Sequence, residues 1–416
     1  MVSAIQHREY DLVLLGATGY TASICAEEIT KTYPINTPWA IAGRSEAALI
    51  KLAQKLKEMH PDRVSPAIEV VRLEKKALVG LTQRTRVLIN GVGPYHRYST
   101  PVVEACAENG THYVDFSTET PWIKEMVDKY HTTAQKSGAV IIPAISNSSS
   151  PSDLTAYLIA TAIRTAFSTG TAEVISSGQL EFAGMSGGSF TTVLSVMETY
   201  GVAWFLFGSP WAMSPSPKPA ADTTPLLRRL FGYRFVPGLG ALTTSFVAVS
   251  NESVVHRSAG LRPEVYGPEF RFHEYMPVPN VFAAVFVHLL TKFGILVFAI
   301  PFVRMWLRKL SFEPGAGPER EVIRTKERAE YRVVGTAEGK NGGVARACFV
   351  YEGALVEVSA ILAVEAGGVL IERSKEEEGD GRSRVGKGGL LTPSTLGMPF
   401  VERLRKAGVK IEVELD

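Results

Sequence analysis

Residues 10–22 read YDLVLLGATGYTA. A short strand-type run enters a turn with glycines at 16 and 19, and a helix-compatible stretch from Ala22 to about Thr32 follows. Strand, glycine turn and helix in that order open a parallel βαβ unit. Each residue type has a separate reason to be there. Gly16 and Gly19 permit a tight turn and a close backbone approach to a pyrophosphate. The helix start then offers open N–H groups and a positive dipole end to that anion. The spacing is G-x-x-G-x-x-A, and Ala22 stands where a third glycine would pack helix on strand. Gly16, Ala17, Thr18, Gly19 and Tyr20 are therefore the expected cradle of a dinucleotide; a ligand-free βα turn is the alternative reading.

A second strand, Trp39–Ala42, ends at Gly43-Arg44-Ser45. An acid at this strand end would hold the ribose 2′-hydroxyl of NAD. The chain supplies an arginine instead, and a guanidinium matches a 2′-phosphate in charge and in bidentate geometry. Arg44 and Ser45 thus point to NADP(H), against the plainer reading of Arg44 as a surface residue.

The alternation continues with a helix at Glu46–Met59 and strands at Ile68–Leu73 and Arg86–Asn90. After the loop Gly91–Tyr95 come a helix with Thr100 as N-cap and Pro101 at its first position, and a strand at His112–Phe116. A helix at Pro121–Ser137 and a strand at Ala139–Pro143 complete the pattern. This rhythm predicts an α/β fold with an N-terminal Rossmann-type doubly wound parallel sheet, and ligands on such a sheet sit beyond the carboxyl ends of its strands. Residues 1–168 form the expected NADP-binding domain, Ser150 and Asp153 making a capping box for its last helix. Residues 169–390 form an expected second, α+β substrate domain. It contains a strand at Thr171–Phe182, a glycine-rich turn at 184–189 before a helix to Tyr200, and a proline-rich loop or lid at 208–225. A strand pair follows at Arg328–Glu338 and Val344–Glu352, then a charged loop at 372–389. Residues 391–416 are expected to pack a helix, capped by Thr392, and a strand back on the sheets.

Charge narrows the partners. Forty-four Lys+Arg against 42 Asp+Glu leave +2, which argues against a nucleic-acid protein. Three cysteines far apart, with no CxxC, exclude a disulfide scaffold and a sequence-evident metal site, and fit a reducing, intracellular compartment. About nine polar or mixed residues precede the first strand, with no secretory pattern among them. The apolar segment 277–309 stands apart. Residues 281–300 hold 16 of class AVILMFWYC. That stretch can span a bilayer, lie in its interface or form a core helix.

These motifs resemble the saccharopine dehydrogenase-like oxidoreductases. GATGYTA, AGR, NGVGPY, THYVDFSTE and IIPA…SPSDL occur in that family's order, and GGLLTPSTLGMPFVERL is similar to its C-terminal segment. The likeness is greatest to the subgroup with the bacterial trans-acting enoyl reductases and the animal saccharopine dehydrogenase-like protein. The resemblance implies an NADP(H)-dependent oxidoreductase, with membrane or lipid-droplet association and a homodimer as further expectations. Two departures stand out. The family's Cys-Gly-Phe-Asp-Ser loop is Ile145–Ser150 here, without the aspartate, and its Gly-Glu after strand five is Ser117-Thr118-Glu119.

Near the strand ends the chemically able groups are Tyr95, His96, Asp115, Glu119 and Asn147. Tyr95 is expected beside the nicotinamide as wall or acid, with Gly93 and Pro94 against the cofactor. Asn147 is expected as a donor to a substrate carbonyl and Glu119 as base or orienter. The second domain is rich in Phe, Trp, Leu and Val, and Arg228, Arg229, Arg257 and Arg262 form no readable constellation. An apolar substrate such as an acyl chain, polyketide or terpenoid is therefore expected, reduced at a C=C conjugated to a carbonyl. A C=O/CH–OH dehydrogenase, or a nucleotide-binding membrane protein without turnover, are the alternatives.

Overall fold

The computed structural model describes residues 8–183, 187–216, 230–308, 317–339, 342–379 and 386–416. Two seven-stranded sheets organise them. The first contains β1 (Tyr10–Leu15), β2 (Trp39–Gly43), β3 (Ala67–Val70), β4 (Thr85–Asn90), β5 (His112–Asp115), β6 (Val140–Ile142) and β13 (Gly389–Leu390). All its pairs are parallel, in the order β13-β6-β5-β4-β1-β2-β3. The order reverses at β1, between β4 and β2, and the crevice for a dinucleotide opens at that point. Helices α1 (Tyr20–Thr32), α2 (Glu46–Met59), α3 (Lys75–Gln83), α4 (Tyr95–Tyr98), α5 (Thr100–Asn109) and α6 (Thr120–Ser137) link the strands. β1 is buried along its whole length, as a central strand covered on both faces must be.

The second sheet contains β7 (Thr171–Glu181), β8 (Arg234–Val236), β9 (Gly240–Thr244), β10 (Arg271–Pro277), β11 (Arg328–Ala337), β12 (Val344–Glu352) and β14 (Lys410–Leu415), in the order β14-β12-β11-β7-β10-β9-β8. Only β10 and β7 pair in parallel. In β11 the alternate residues Ala329, Tyr331 and Val333 are buried, whereas Arg328, Glu330 and Arg332 face a 590 Å³ groove on the outer side. Helix α7 (Ser149–Phe167) covers the buried side: a side chain at Gly335 would collide with Ile159.

Several expectations change. α7 starts two residues early, with Ser148 as N-cap and no side-chain capping bond, so the capping box is absent. Asp153 instead accepts the Ser258 hydroxyl and, at 2.7 Å, the Ser394 N–H. It ties the 3₁₀ turn Pro393–Leu396 to α7. Because α7 lies on the second sheet, the division at 168 cuts through packed structure. The division at 390 does the same. Residues 355–379 are one helix of 25 residues, packed on α1 and the first sheet, where the Tyr33 hydroxyl donates to the Val364 carbonyl at 2.6 Å. The expected loop at 372–389 is thus helix through Gly379 and strand β13 at its end, residues 380–385 lying outside the description. Residues 184–186 and 217–225 of the expected turn and lid also lie outside it, as do Arg228 and Arg229.

The remaining helices are α8 (Gly187–Tyr200), α9 (Val202–Phe207), α10 (Ala248–Leu261), α11 (Val281–Phe298), α12 (Pro301–Arg308), α13 (Leu355–Gly379) and α14 (Gly397–Lys406), with single turns at 263–266 and 320–324. α11 is not a core helix, since only Ala284 and His288 are buried along it.

Candidate active site

The turn after β1 has the geometry a pyrophosphate requires. Gly16 has φ +74°, and a Cβ there would lie 2.7 Å from the Val92 Cγ2. Gly19 is the N-cap of α1 without any side-chain cap, so the first-turn N–H groups are open to an anion. Gly91, just past β4, meets Ala22: a side chain at 91 would be 2.7 Å from the Ala22 Cβ. This explains how alanine fills the third turn position, because the glycine that makes room for it comes from the neighbouring strand end.

Ala17 is buried beneath the turn, where its N–H donates to the Ala42 carbonyl, and Thr18 is exposed. Arg44 is exposed at the end of β2, with no partner among the described residues. Ser45 accepts the Ala48 N–H and caps α2. The donors fit a 2′-phosphorylated dinucleotide: an uncapped helix start for the pyrophosphate and an unpaired guanidinium one strand over. Tyr20 is the first residue of α1, and its hydroxyl donates to the Pro318 carbonyl at 2.7 Å, away from the turn.

Beyond β4 and β5 the structure assembles a buried chain of polar groups. Glu119, 1% exposed, accepts the backbone N–H groups of Tyr95 at 2.7 Å and His96 at 2.8 Å. Its Oε2 lies 2.5 Å from His96 Nδ1, and His96 Nε2 lies 2.9 Å from the Ser195 hydroxyl of α8. A carboxylate already accepting two N–H groups takes a third from Nδ1–H, which leaves Nε2 for Ser195: a neutral ring accepts the Ser195 hydroxyl there, and a protonated ring donates to it. The His96 side chain is 2% exposed, so its ring has one working nitrogen, and that nitrogen faces α8.

Side-chain direction bears on the expected roles. Tyr95 turns into the core against Trp122, with ring centroids 5.8 Å apart. Its hydroxyl is held between the Asn90 carbonyl and the Phe116 N–H, each at 3.3 Å, and burial raises its pKa well above the ordinary tyrosine value. It is neither cleft wall nor proton donor in this arrangement. Asn147 donates one of its two side-chain N–H groups to the Leu355 carbonyl at 3.2 Å, where α13 begins. Gly93 and Pro94, expected against the cofactor, lie in the loop between β4 and α4, Pro94 as the N-cap of α4. Ser195 had no signal in the sequence. It sits in an apolar helix 99 residues from its partner, and only the fold brings the two together.

Asp115, at the end of β5, accepts the Tyr113 hydroxyl at 2.6 Å and the N–H groups of Ser117 and Ala144. Burial pushes its carboxyl up to about 7. Ala144 has φ +64°, a left-handed conformation that disfavours a side chain, and the Asp115 contact helps hold it there. The loop 145–150 leaves from this point.

A second buried network joins α7 to the second sheet. The Ser149 hydroxyl donates to the Asn251 side-chain oxygen, the Asn251 amide to Glu274 Oε1, and the Ser152 hydroxyl to Glu274 Oε2 at 2.5 Å. Burial raises the Glu274 carboxyl from 4.5 to about 7. A folded value raised above the unfolded one gives stability that is complete below about pH 4.5 and is lost as pH rises through about 7. Glu274→Gln, which copies the neutral acid, is expected to raise stability at pH 8 by on the order of 2–3 kcal/mol and to leave pH 4 stability unchanged. Urea melts at the two pH values test this, and an equal change at both would refute the titration of Glu274.

Residues 12–142 match the saccharopine dehydrogenase NADP-binding domain. Along its length the chain is 30% identical to a trans-acting enoyl reductase of Mycobacterium bovis, covering 97% of each. It is 29% identical to a putative trans-acting enoyl reductase of Mycobacterium tuberculosis, again over 97% of each. Among solved structures it is similar to apo saccharopine dehydrogenase (L-Glu forming) from Saccharomyces cerevisiae, with TM-score 0.51, 13% identity and coverage of 97% and 99% of the two chains. It is also similar to homospermidine synthase from Legionella pneumophila, with TM-score 0.50, 12% identity and coverage of 99% and 92%. At those identities the solved structures carry the fold alone. The sequence relatives, the matched domain and the geometry of the turn agree: the chain belongs to the saccharopine dehydrogenase-like family of NADP(H)-dependent oxidoreductases, in the group that includes the trans-acting enoyl reductases.

Proposed function

We propose that the protein reduces a carbon–carbon double bond conjugated to the carbonyl of a hydrophobic acyl substrate, in lipid, polyketide or terpenoid metabolism. When bound, NADPH supplies a hydride, which goes to the β-carbon. The protein must then deliver a proton to the α-carbon. The carrying observation is the chain Glu119–His96–Ser195 beyond β4 and β5, on the ligand side of the sheet. A protonated His96, with Nδ1–H held by Glu119, would give its Nε2 proton to the Ser195 oxygen as Ser195 passes its hydroxyl proton to the α-carbon, which restores the Ser195 hydroxyl and leaves a neutral ring that solvent reprotonates before the next turnover. The relatives' name as enoyl reductases supports the reaction class.

An amino-acid conjugate is the less suitable substrate for a specific reason. Such a ligand needs free cations for its carboxylates, and the described arginines of this region are committed. Arg257 is buried and donates to the carbonyls of Leu390 and Met213. Arg262 lies over the Tyr157 ring, 4.9 Å from its centroid.

The test is NADPH oxidation with a panel of long-chain enoyl thioesters and enones, against saccharopine-type conjugates as controls. Turnover of the conjugates alone would overturn the reading. Cofactor choice is tested separately. Arg44→Ala is expected to weaken NADPH binding by about 1.5–3 kcal/mol, the scale of a charge-assisted contact, with little change for NADH. Equal losses for both cofactors would remove Arg44 from the 2′-phosphate site.

A further inference from the structure

The groups that would carry the proton are sealed from solvent. Glu119 and Ser195 are 1% and 0% exposed, and the His96 side chain is 2% exposed. Ser195 belongs to α8, where Leu194, Val196 and Met197 beside it are buried as well. A substrate carbon has to come within hydrogen-bond reach of the Ser195 hydroxyl to take its proton. In this position of α8 even water does not reach that hydroxyl, so an acyl chain needs the helix to lift.

The polar ties of α8 lie at its edge. Two neighbouring residues of α4 meet two residues one turn apart on α8. His96 Nε2 lies 2.9 Å from the Ser195 hydroxyl, and Arg97 Nη2 lies 3.6 Å from Glu198 Oε2. Ser195 and Glu198 stand three apart, hence on one side of the helix. The other Glu198 oxygen lies 3.6 Å from Arg304 Nε. Arg304 is fixed in turn, since it donates to the carbonyls of Phe298 and Ala299 at 2.7 and 2.8 Å, where α11 ends. One carboxylate thus spans from the helix that carries His96 to the end of α11. The side chains of Arg97 and Glu198 are 45% and 29% exposed, so water screens their pair and takes over both charges when it opens. α7 is bound differently, through the buried carboxyls of Asp153 and Glu274. Beyond Tyr200 comes Gly201, with φ +78°, around which a Cβ would meet nothing within 4 Å. The next helix, α9, packs on α11. Gly201 therefore separates a helix tied at its edge from one docked on the fold, and it has room to turn.

We propose that α8 is a hinged cover over the Glu119–His96–Ser195 chain, turning at Gly201, and that Glu198 is the positioning residue that seats Ser195 on His96 when the cover closes. An acyl substrate enters while the cover is lifted. Closure then brings the hydroxyl to the α-carbon and keeps water from the reaction. The purpose of the cover rests on the reaction proposed above; its movement does not.

The experiment reads access to position 195 with no substrate present, so its failure and the failure of the proposed reaction are told apart. Ser195→Cys is made in the full-length chain, and alkylation by N-ethylmaleimide is followed peptide by peptide under native conditions. Cys25 of α1, also 0% exposed, is the internal standard for a thiol in fixed structure. The thiol at 195 is expected to react at least about a hundredfold faster than Cys25, as a locally opening element does relative to the core. Adding Glu198→Gln is expected to speed it a further threefold to tenfold or about that, the scale of losing partly exposed ion pairs, and to leave Cys25 unchanged. That comparison is made within one thiol, so activation by His96 cancels. Leu194→Cys, also at a 0% exposed position, repeats the measurement without the contact to His96. Circular dichroism and NADPH binding check that the variants are folded. Thiols at 194 and 195 as slow as Cys25 would show α8 to be fixed core and overturn the proposal. Labelling that Glu198→Gln leaves unchanged, or speeds equally at Cys25, overturns the role of Glu198.

Discussion

His96→Ala is expected to lower kcat/KM on an enoyl thioester by about 10²–10⁴, the range for a positioned general acid or base, while NADPH still binds. The expectation follows from position: His96 is joined at one nitrogen to a buried carboxylate and at the other to a hydroxyl of α8. Ser195→Ala divides the possibilities further. If Ser195 hands on the proton, its loss lowers kcat with little change in KM. If the ring acts directly on substrate, Ser195→Ala is mild and His96→Ala alone is severe. Glu119→Gln keeps an oxygen for the backbone N–H groups but removes the charge that fixes the ring, so the pH profile of kcat should move. Full activity of His96→Ala on the true substrate would place the proton donor elsewhere.

The largest expected effect on stability is at Phe400. It lies in α14, is 0% exposed, and sits in one core cluster with Leu12 and Ile89 of the first sheet and Phe349 and Ile411 of the second. Phe400→Ala is expected to cost about 3–5 kcal/mol, from lost transfer energy and the cavity left behind. A urea melt followed by both far-UV circular dichroism and tryptophan fluorescence measures it. Because the cluster bridges both sheets, the two probes should shift together. A shift in only one, or a change below about 1 kcal/mol, would show that the sheets are not bound through this residue.

The parts of the fold that were legible in the sequence are those governed by local chemistry. β1, its glycine turn and α1 follow from a strand run and two glycines, and α2 is found at Glu46–Met59 as its pattern of Ala, Leu and Lys requires. Helix α13 was hidden by Gly367 and Gly368 in its middle, each costing about 1 kcal/mol in an isolated helix. The structure gives their reason. A side chain at 367 would stand 3.0 Å from the Tyr33 hydroxyl, and one at 368 would collide with the Arg403 guanidinium. Glycine there is a packing requirement between segments far apart in the chain. The candidate site divides in the same way. The cradle and Arg44 could be read from spacing, whereas the direction of Tyr95, Asn147 and His96 depends on Trp122, Leu355 and Ser195, which sequence does not place beside them.

The late return of α13 to the first sheet also sets a timetable for the chain as it is made. The strands β1 to β6 leave the ribosome by residue 142, but the helix that packs on α1, β4 and β5 begins only at Leu355, about two hundred residues later. At roughly 5–20 residues per second that interval lasts about 10–40 s. Throughout it, the side of the sheet carrying Leu12, Ile89 and Val114 lacks the helix that later covers it. The nucleotide-binding half is therefore first to be synthesised and among the last parts to be enclosed, and any chain stopped short of Leu355 is left with an apolar surface that chaperones and aggregation compete for.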